Sequence, residues 1–214
     1  MMKRRLAHVQ AYVQAEMAAD HTGHDVAHVN RVVSLARQLL QTEPANEEPT
    51  LVIAYLHDVG DEKLTETPAQ KRQEVSAKLQ EWGYPPALVM KIMADIAHLS
   101  FAKNLEHPYH LDRAGQIAQD ADRLDALGPI AIARTFAYGA IHDLPMYAPE
   151  NEPAVLSTKQ AYRQARDTFH HYQARSERVV AQLNTPTARR LAAPRMAATR
   201  RFLARFRIEW QGGA

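Results

Sequence analysis

The chain has no cysteine. That excludes disulfide frameworks, cysteine-ligated zinc, iron–sulfur clusters and thiol nucleophiles. Only eight glycines are spread over 214 residues, and strand-like alternation is scarce. No uncharged apolar run approaches the ~20 residues that a membrane-spanning helix needs. Lys3, Arg4 and Arg5 open the chain, but His8, Gln10 and Gln14 interrupt any apolar stretch behind them, so no secretion signal is visible. A soluble, cytoplasmic protein is the expectation.

Hydrophobic residues make up 46% and charged ones 23% of the chain, the balance of a folded globular protein. The net charge of +2 is unevenly placed. From Asn184 onward seven arginines stand against one acid, Glu209, leaving the first 183 residues with 19 basic and 23 acidic side chains. Such a split does not describe a uniform nucleic-acid-binding surface.

Helical spacing dominates. Leu6, Val9, Tyr12, Val13 and Met17 form one apolar stripe, and Val29, Val32, Val33, Ala36, Leu39 and Leu40 a clearer second one. Leu51 to Leu56 is short and wholly apolar, consistent with a buried strand or a buried helix; the helical surroundings favour the helix. Further helices are expected at 69–82, 86–101, 112–127 and 129–142, then a proline-rich loop over 143–153. Two long helices should follow, 157–183 and 187–210, the second kinked or delayed by Pro194. The expectation is an all-α fold: one globular domain over 1–183, with an arginine-rich helical extension, 184–214, packed on it.

The chemistry concentrates in three places. His28 shares a helical face with Val32, Leu35 and Leu39 and so points at the core; taken alone, it could be a histidine bonded to a carbonyl. His57-Asp58 ends the apolar helix, and an aspartate there calls for a partner or a cation. Asp120, Asp122 and Asp125 are interleaved with Ile117, Ala118, Ala121 and Leu124, which leaves little of that helix to solvent.

A histidine on one helix, a His-Asp pair ending the next and an aspartate more than sixty residues later resemble the HD-domain superfamily of metal-dependent phosphohydrolases. The segments that carry the resemblance are Gly23-His24-Asp25 before His28, Arg31-Val32 after it, Leu56-His57-Asp58-Val59-Gly60-Asp61 with Lys63, and Gln119 to Gly128. Ile132 to Phe136 and Asn184 to Ala192 are similar to a small bacterial branch, some of whose members are nucleotide pyrophosphohydrolases. The resemblance implies an HD-type helical domain with His28, His57, Asp58 and Asp122 as metal ligands. Two imidazoles and two carboxylates suit Mn, Fe, Co, Ni or Zn better than calcium; the expected cofactor is one divalent ion, Mn or Mg first, with Co, Ni, Fe or Zn as alternatives.

The resemblance further places Asp61 where relatives carry an acid that activates water or protonates the leaving group; a turn aspartate reads equally well there. Lys63, Arg31 and His24 are cationic candidates for phosphate contact, and Lys63 joins Asp61 as a catalytic candidate. Asp125 is a candidate substrate-side residue that orients a histidine or an arginine. Arg123 reads either as a phosphate contact or as a salt-bridge partner. Dinuclear relatives use extra histidines between the His-Asp pair and the last aspartate; His98, His107 and His110 occupy that interval, and His98 is expected to line the pocket of a one-metal site.

The arginines of the tail alternate with Leu191, Met196, Phe202, Leu203 and Phe206, so packing on the acidic remainder is the expectation over binding nucleic acid or lipid. The expected partner is a small phosphorylated molecule such as a nucleotide, without membrane or nucleic acid; a homodimer is left open. The expected activity is divalent-metal-dependent phosphohydrolysis, in particular of a nucleoside triphosphate to release pyrophosphate. A binding module with little turnover, a phosphodiesterase and a phosphomonoesterase are the alternatives.

Overall fold

In the computed structural model, residues 2–18, 25–62 and 65–213 are described, and among them ten helices and no strand occur. The all-α expectation is met. His24 and Lys63 lie outside the described residues. No helix among the described residues is long and apolar enough to cross a membrane.

The chain folds as two compact units, Met1–Ser100 with Tyr109–Asp122, and Phe101–Pro108 with Arg123–Ala214. The first unit holds α1 (Met2–Glu16), α2 (Val26–Leu40), α3 (Glu47–Leu56), α4 (Pro68–Glu81), α5 (Pro86–His98) and most of α6 (Arg113–Asp125). Its centre is α3, where every residue from Pro49 to Leu56 is buried. A helix that is apolar all round has no solvent face, and α3 accordingly packs against α1, α2 and α5. The continuous apolar run reflects burial on all sides, which settles the choice between strand and helix.

Each of the two helices that lead to the candidate histidines starts on a side-chain cap. Asp25 accepts the His28 backbone N–H at 2.8 Å and so fixes the first turn of α2. Asn46 accepts the Glu48 N–H at 3.3 Å, and Glu47 and Glu48 put negative charge at the positive end of α3. Arg5 pairs with Glu48 at 2.6 Å and ties α1 to that same end. At its far end α3 gives way to a turn over His57–Gly60, in which Gly60 takes φ +84°, a conformation other residues rarely adopt.

The second unit holds α7 (Pro129–Ile141), α8 (Lys159–Arg163), α9 (Thr168–Ala181) and α10 (Pro186–Trp210). Its core joins Ala131, Ile132, Phe169, Tyr172 and Leu203, with Phe136, Tyr147, Phe202 and Phe206 packed around them. The helix expected over 157–183 is two helices, α8 and α9. The break has a local cause: Asp167 turns its carboxylate onto the His170 N–H at 2.8 Å and caps α9, while its other oxygen takes bonds from Asn151 at 2.7 Å and His170 Nδ1 at 2.9 Å. α10 starts at Pro186 without delay, because Thr185 caps it through Ala188 N–H at 3.2 Å, and it carries Pro194 inside.

α10 packs against both α7 and α9. Its arginines find partners within the unit: Arg189 reaches the Leu183 carbonyl at 2.7 Å, Arg195 the Leu124 carbonyl at 2.7 Å, and Arg207 Gln173 Oε1 at 2.7 Å while lying over the Phe169 ring.

Candidate metal centre

Three elements of the first unit converge on one point. His28, from the first turn of α2, is 2% exposed, so its imidazole is committed to the interior. Its Nε2 lies 3.2 Å from His57 Nε2, 3.4 Å from Asp58 Oδ2 and 3.5 Å from Asp122 Oδ1. His57 Nε2 is 3.2 Å from Asp58 Oδ2 and 3.7 Å from Asp122 Oδ1. His57 Nδ1 contacts the Ala54 carbonyl at 2.9 Å; a carbonyl only accepts, so Nδ1 carries a proton and Nε2 is the atom turned to the cluster.

His57 and Asp58 are neighbours at the end of α3, and their side chains reach the same point there, His57 Nε2 and Asp58 Oδ2 lying 3.2 Å apart. Asp122 comes from the last turn of α6. That helix is held along its length: Arg113 pairs with Glu43 at 2.6 Å, and Gln119 donates to the Leu99 carbonyl at 3.1 Å.

These spacings fit a cation. Donors held about 2.0–2.2 Å from one ion stand about 2.8–3.6 Å apart in octahedral or tetrahedral arrangements. Ligand atoms of His28, His57 and Asp58 all lie within 4.8 Å of one another, and together they form a possible metal site. Electrostatics agree. Burial disfavours charge on His57, yet Asp58 beside it and then Asp122 outweigh that effect and push its pKa up to about 10. The carboxylates thus demand a positive charge at this point.

The other expected residues fall out variously. Asp61 lies in the same turn, its N–H bonded to the Asp58 carbonyl at 3.0 Å. Arg31 is half-buried on α2, one turn beyond His28. His98, at the end of α5, is half-buried with Nδ1 on the Ala94 carbonyl at 2.8 Å, whereas His107 and His110 are exposed. In the second unit, Asp125 is 3% exposed and accepts from Arg134 at 2.8 Å. Arg123 directs its guanidinium to the backbone carbonyl and the side-chain amide of Gln182.

Two contacts of the first unit escape a reading of the sequence. Asp95 is a buried carboxylate on the apolar stripe of α5, three residues after Ile92, and an acid at that spacing is the signal that could have marked it. Tyr109 lies flat on the His98 ring, and nothing local in the sequence announces that contact.

The HD domain family matches residues 25–127, which span all four converging side chains. A protein from Lactobacillus plantarum of known crystal structure is 37% identical, with a TM-score of 0.87 and 97% of each chain covered. The uncharacterized protein YpgQ of Bacillus subtilis is 29% identical over 190 residues, 87% of this chain and 84% of that protein. Its crystal structure in complex with ADP superimposes with a TM-score of 0.79 at 25% identity, covering 97% of this chain and 96% of YpgQ. An HD-superfamily hydrolase from Bacillus thuringiensis is 29% identical, with a TM-score of 0.77 and 99% of each chain covered. With two imidazoles and two carboxylates drawn together by helices inside the matched region, the chain belongs to the HD-domain superfamily.

Proposed function

We propose that the protein is a divalent-metal-dependent phosphohydrolase acting on a nucleotide, and that its reaction is hydrolysis of a nucleoside triphosphate to the monophosphate and pyrophosphate. The observation that carries this reading is the meeting of His28, His57, Asp58 and Asp122 around one point. The ADP bound by YpgQ supports the nucleotide as ligand. In this reading the four side chains would hold one ion, Mn or Mg first and Co, Ni, Fe or Zn next. Such an ion lowers the pKa of its water and neutralises phosphate charge.

The chain's own groups do the rest. His57 and His28 set the donor geometry. Asp61 takes the proton from the attacking water or returns one to the leaving pyrophosphate. Lys63, with Arg31 and His24, offers cationic donors to the phosphates. His98 lines the pocket, and Asp125 holds Arg134. Residues 1–183 are the hydrolase domain and 184–214 its helical extension. The test is a screen of the purified protein against nucleotides with Mn²⁺, Mg²⁺, Co²⁺ and Ni²⁺, resolving orthophosphate from pyrophosphate. Pyrophosphate released from a nucleoside triphosphate is expected. Cleavage of phosphomonoesters alone overturns the reaction, and metal binding without turnover of any substrate leaves a binding module.

A further inference from the structure

His98 and Tyr109 make a flat aromatic pair at the end of α5. Their ring centroids are 3.7 Å apart and their planes differ by 11°. The bond from His98 Nδ1 to the Ala94 carbonyl, 2.8 Å, sets the imidazole against its own helix and so fixes the ring on which Tyr109 rests. Tyr109 is nevertheless 46% exposed. The stack therefore belongs to the surface of the first unit, not to its core.

Two contacts set its place relative to the metal cluster. The residue after His98, Leu99, accepts a buried hydrogen bond at 3.1 Å from Gln119, which precedes Asp122 by less than one turn of α6. α5 also packs on α3, the helix whose end carries His57 and Asp58. All of these residues lie in one compact unit. The chain immediately after His98 is thus fastened to α6 within one turn of Asp122.

We infer that Tyr109, backed by His98, is the stacking surface for the base of a nucleotide whose phosphates face His28, His57, Asp58 and Asp122. This assignment rests on the nucleotide reading above and gives that reading its base-side contact. A metal cluster that binds phosphate recognises the anionic end of its ligand and is indifferent to the group attached beyond it. A flat π-surface beside it selects a planar heteroaromatic group, because aromatic rings attract one another in offset stacks and every nucleobase offers such a face. Backing by a fixed imidazole holds the tyrosine ring in place before the ligand arrives, which reduces the ordering cost of binding. The surface discriminates little between bases, since stacking reads a ring and not its edge.

The experiment compares ADP with inorganic pyrophosphate, two ligands that share a diphosphate and differ by the nucleoside. Calorimetric titration of the full chain in Mg²⁺ is expected to show tighter binding of ADP. Tyr109→Ala should weaken ADP about tenfold or more while leaving pyrophosphate within about twofold, and Tyr109→Phe should bind both like the parent. Tyr109→Leu, which keeps apolar bulk without a flat ring, should behave as the alanine variant does and serves if that variant does not fold. Equal loss of both ligands, unchanged ADP affinity in the alanine variant, loss in the phenylalanine variant, or a parent protein that does not prefer ADP to pyrophosphate overturns the assignment. Turnover is read separately. Selective loss of ADP in a protein that hydrolyses nothing sinks the hydrolase reading and leaves the stacking surface standing.

Discussion

The carboxylate of Asp95 occupies the space that a side chain at Gly115 would need: a Cβ built on Gly115 would stand 2.5 Å from Asp95 Cγ and under 3 Å from both its oxygens. The same carboxylate accepts the Asp112 N–H at 3.3 Å and the Gly115 N–H, so an acid on α5 caps the start of α6 from another helix. Gly115 is the position that lets this happen. Gly115→Ala is expected to destabilise by about 1–3 kcal/mol through overpacking. In an Asp95→Ala background the same change should be neutral or stabilising by up to about 1 kcal/mol, because alanine is the better helix former once the carboxylate is gone. Denaturant unfolding of the two single variants and the double variant reads the change of sign; equal effects of Gly115→Ala in both backgrounds would rule the steric account out.

Asp95 also makes stability depend on pH. Burial, and to a lesser degree the neighbouring Asp112 carboxylate, raise its pKa from 3.8 to about 6, against the two backbone N–H groups and His98, which lower it. A raised folded-state pKa means that the folded chain prefers the protonated acid. That preference contributes fully below about pH 4 and is lost as the pH rises through about 6. Asp95→Asn cannot ionise, so its melting temperature relative to the parent should improve between about pH 5 and pH 7.5. A difference that stays flat across this window would show that the start of α6 carries the charge without cost.

The chain states its helices and hides its tertiary contacts. α2 is legible because Val29, Val32, Val33, Ala36 and Leu39 repeat at helical spacing and all five are buried. α3 is ambiguous for a physical reason, since a helix buried on every side has no polar face to give it a period. The gap between α8 and α9 escapes notice because Asp167 acts through its cap and its bonds to Asn151 and His170, and aspartate inside an apolar pattern does not announce which role it takes. At the cluster, residue types and order along the chain point to His28, to His57-Asp58 and to the segment with Asp120, Asp122 and Asp125, and the family resemblance singles out Asp122 among the three aspartates. Asp95 and Tyr109 depend on which helices lie side by side, and that information exists only in the fold.

The extension sets packing against charge. Leu203 lies on the inner face of α10, 7% exposed and in the cluster with Ala131, Ile132, Phe169 and Tyr172. Leu203→Ala should cost about 2–4 kcal/mol and lower the melting temperature by roughly 5–15 °C. Arg205 sits on the outer face in an exposed pair with Glu209 at 2.6 Å, and its replacement by alanine should change stability by no more than about 0.5 kcal/mol. Thermal melts of both variants decide between the readings. An arginine variant that melts lower than the leucine variant would mean that charge, and not the apolar face, fastens α10.

Asp122 and Asp61 are expected to part as ligand and proton handler. Asp122 Oδ1 is 3.5 Å from His28 Nε2 and 3.7 Å from His57 Nε2, so Asp122→Ala removes a carboxylate from the cluster itself and should lower both metal content and turnover. It should also lower the pKa of His57, because one of the two carboxylates that raise it is gone. Asp61 stands three residues beyond Asp58, in the turn closed by the bond from its N–H to the Asp58 carbonyl. Asp61→Ala leaves all four candidate ligands in place and should keep the metal. Turnover should nonetheless fall by on the order of 10²- to 10⁴-fold, the usual range for losing a positioned acid or base. Elemental analysis beside rates at saturating metal distinguishes the two. Full activity in the Asp61 variant makes that residue a turn aspartate and hands the proton to another group; retained metal and retained rate in the Asp122 variant remove the fourth ligand, and the proposed hydrolysis with it.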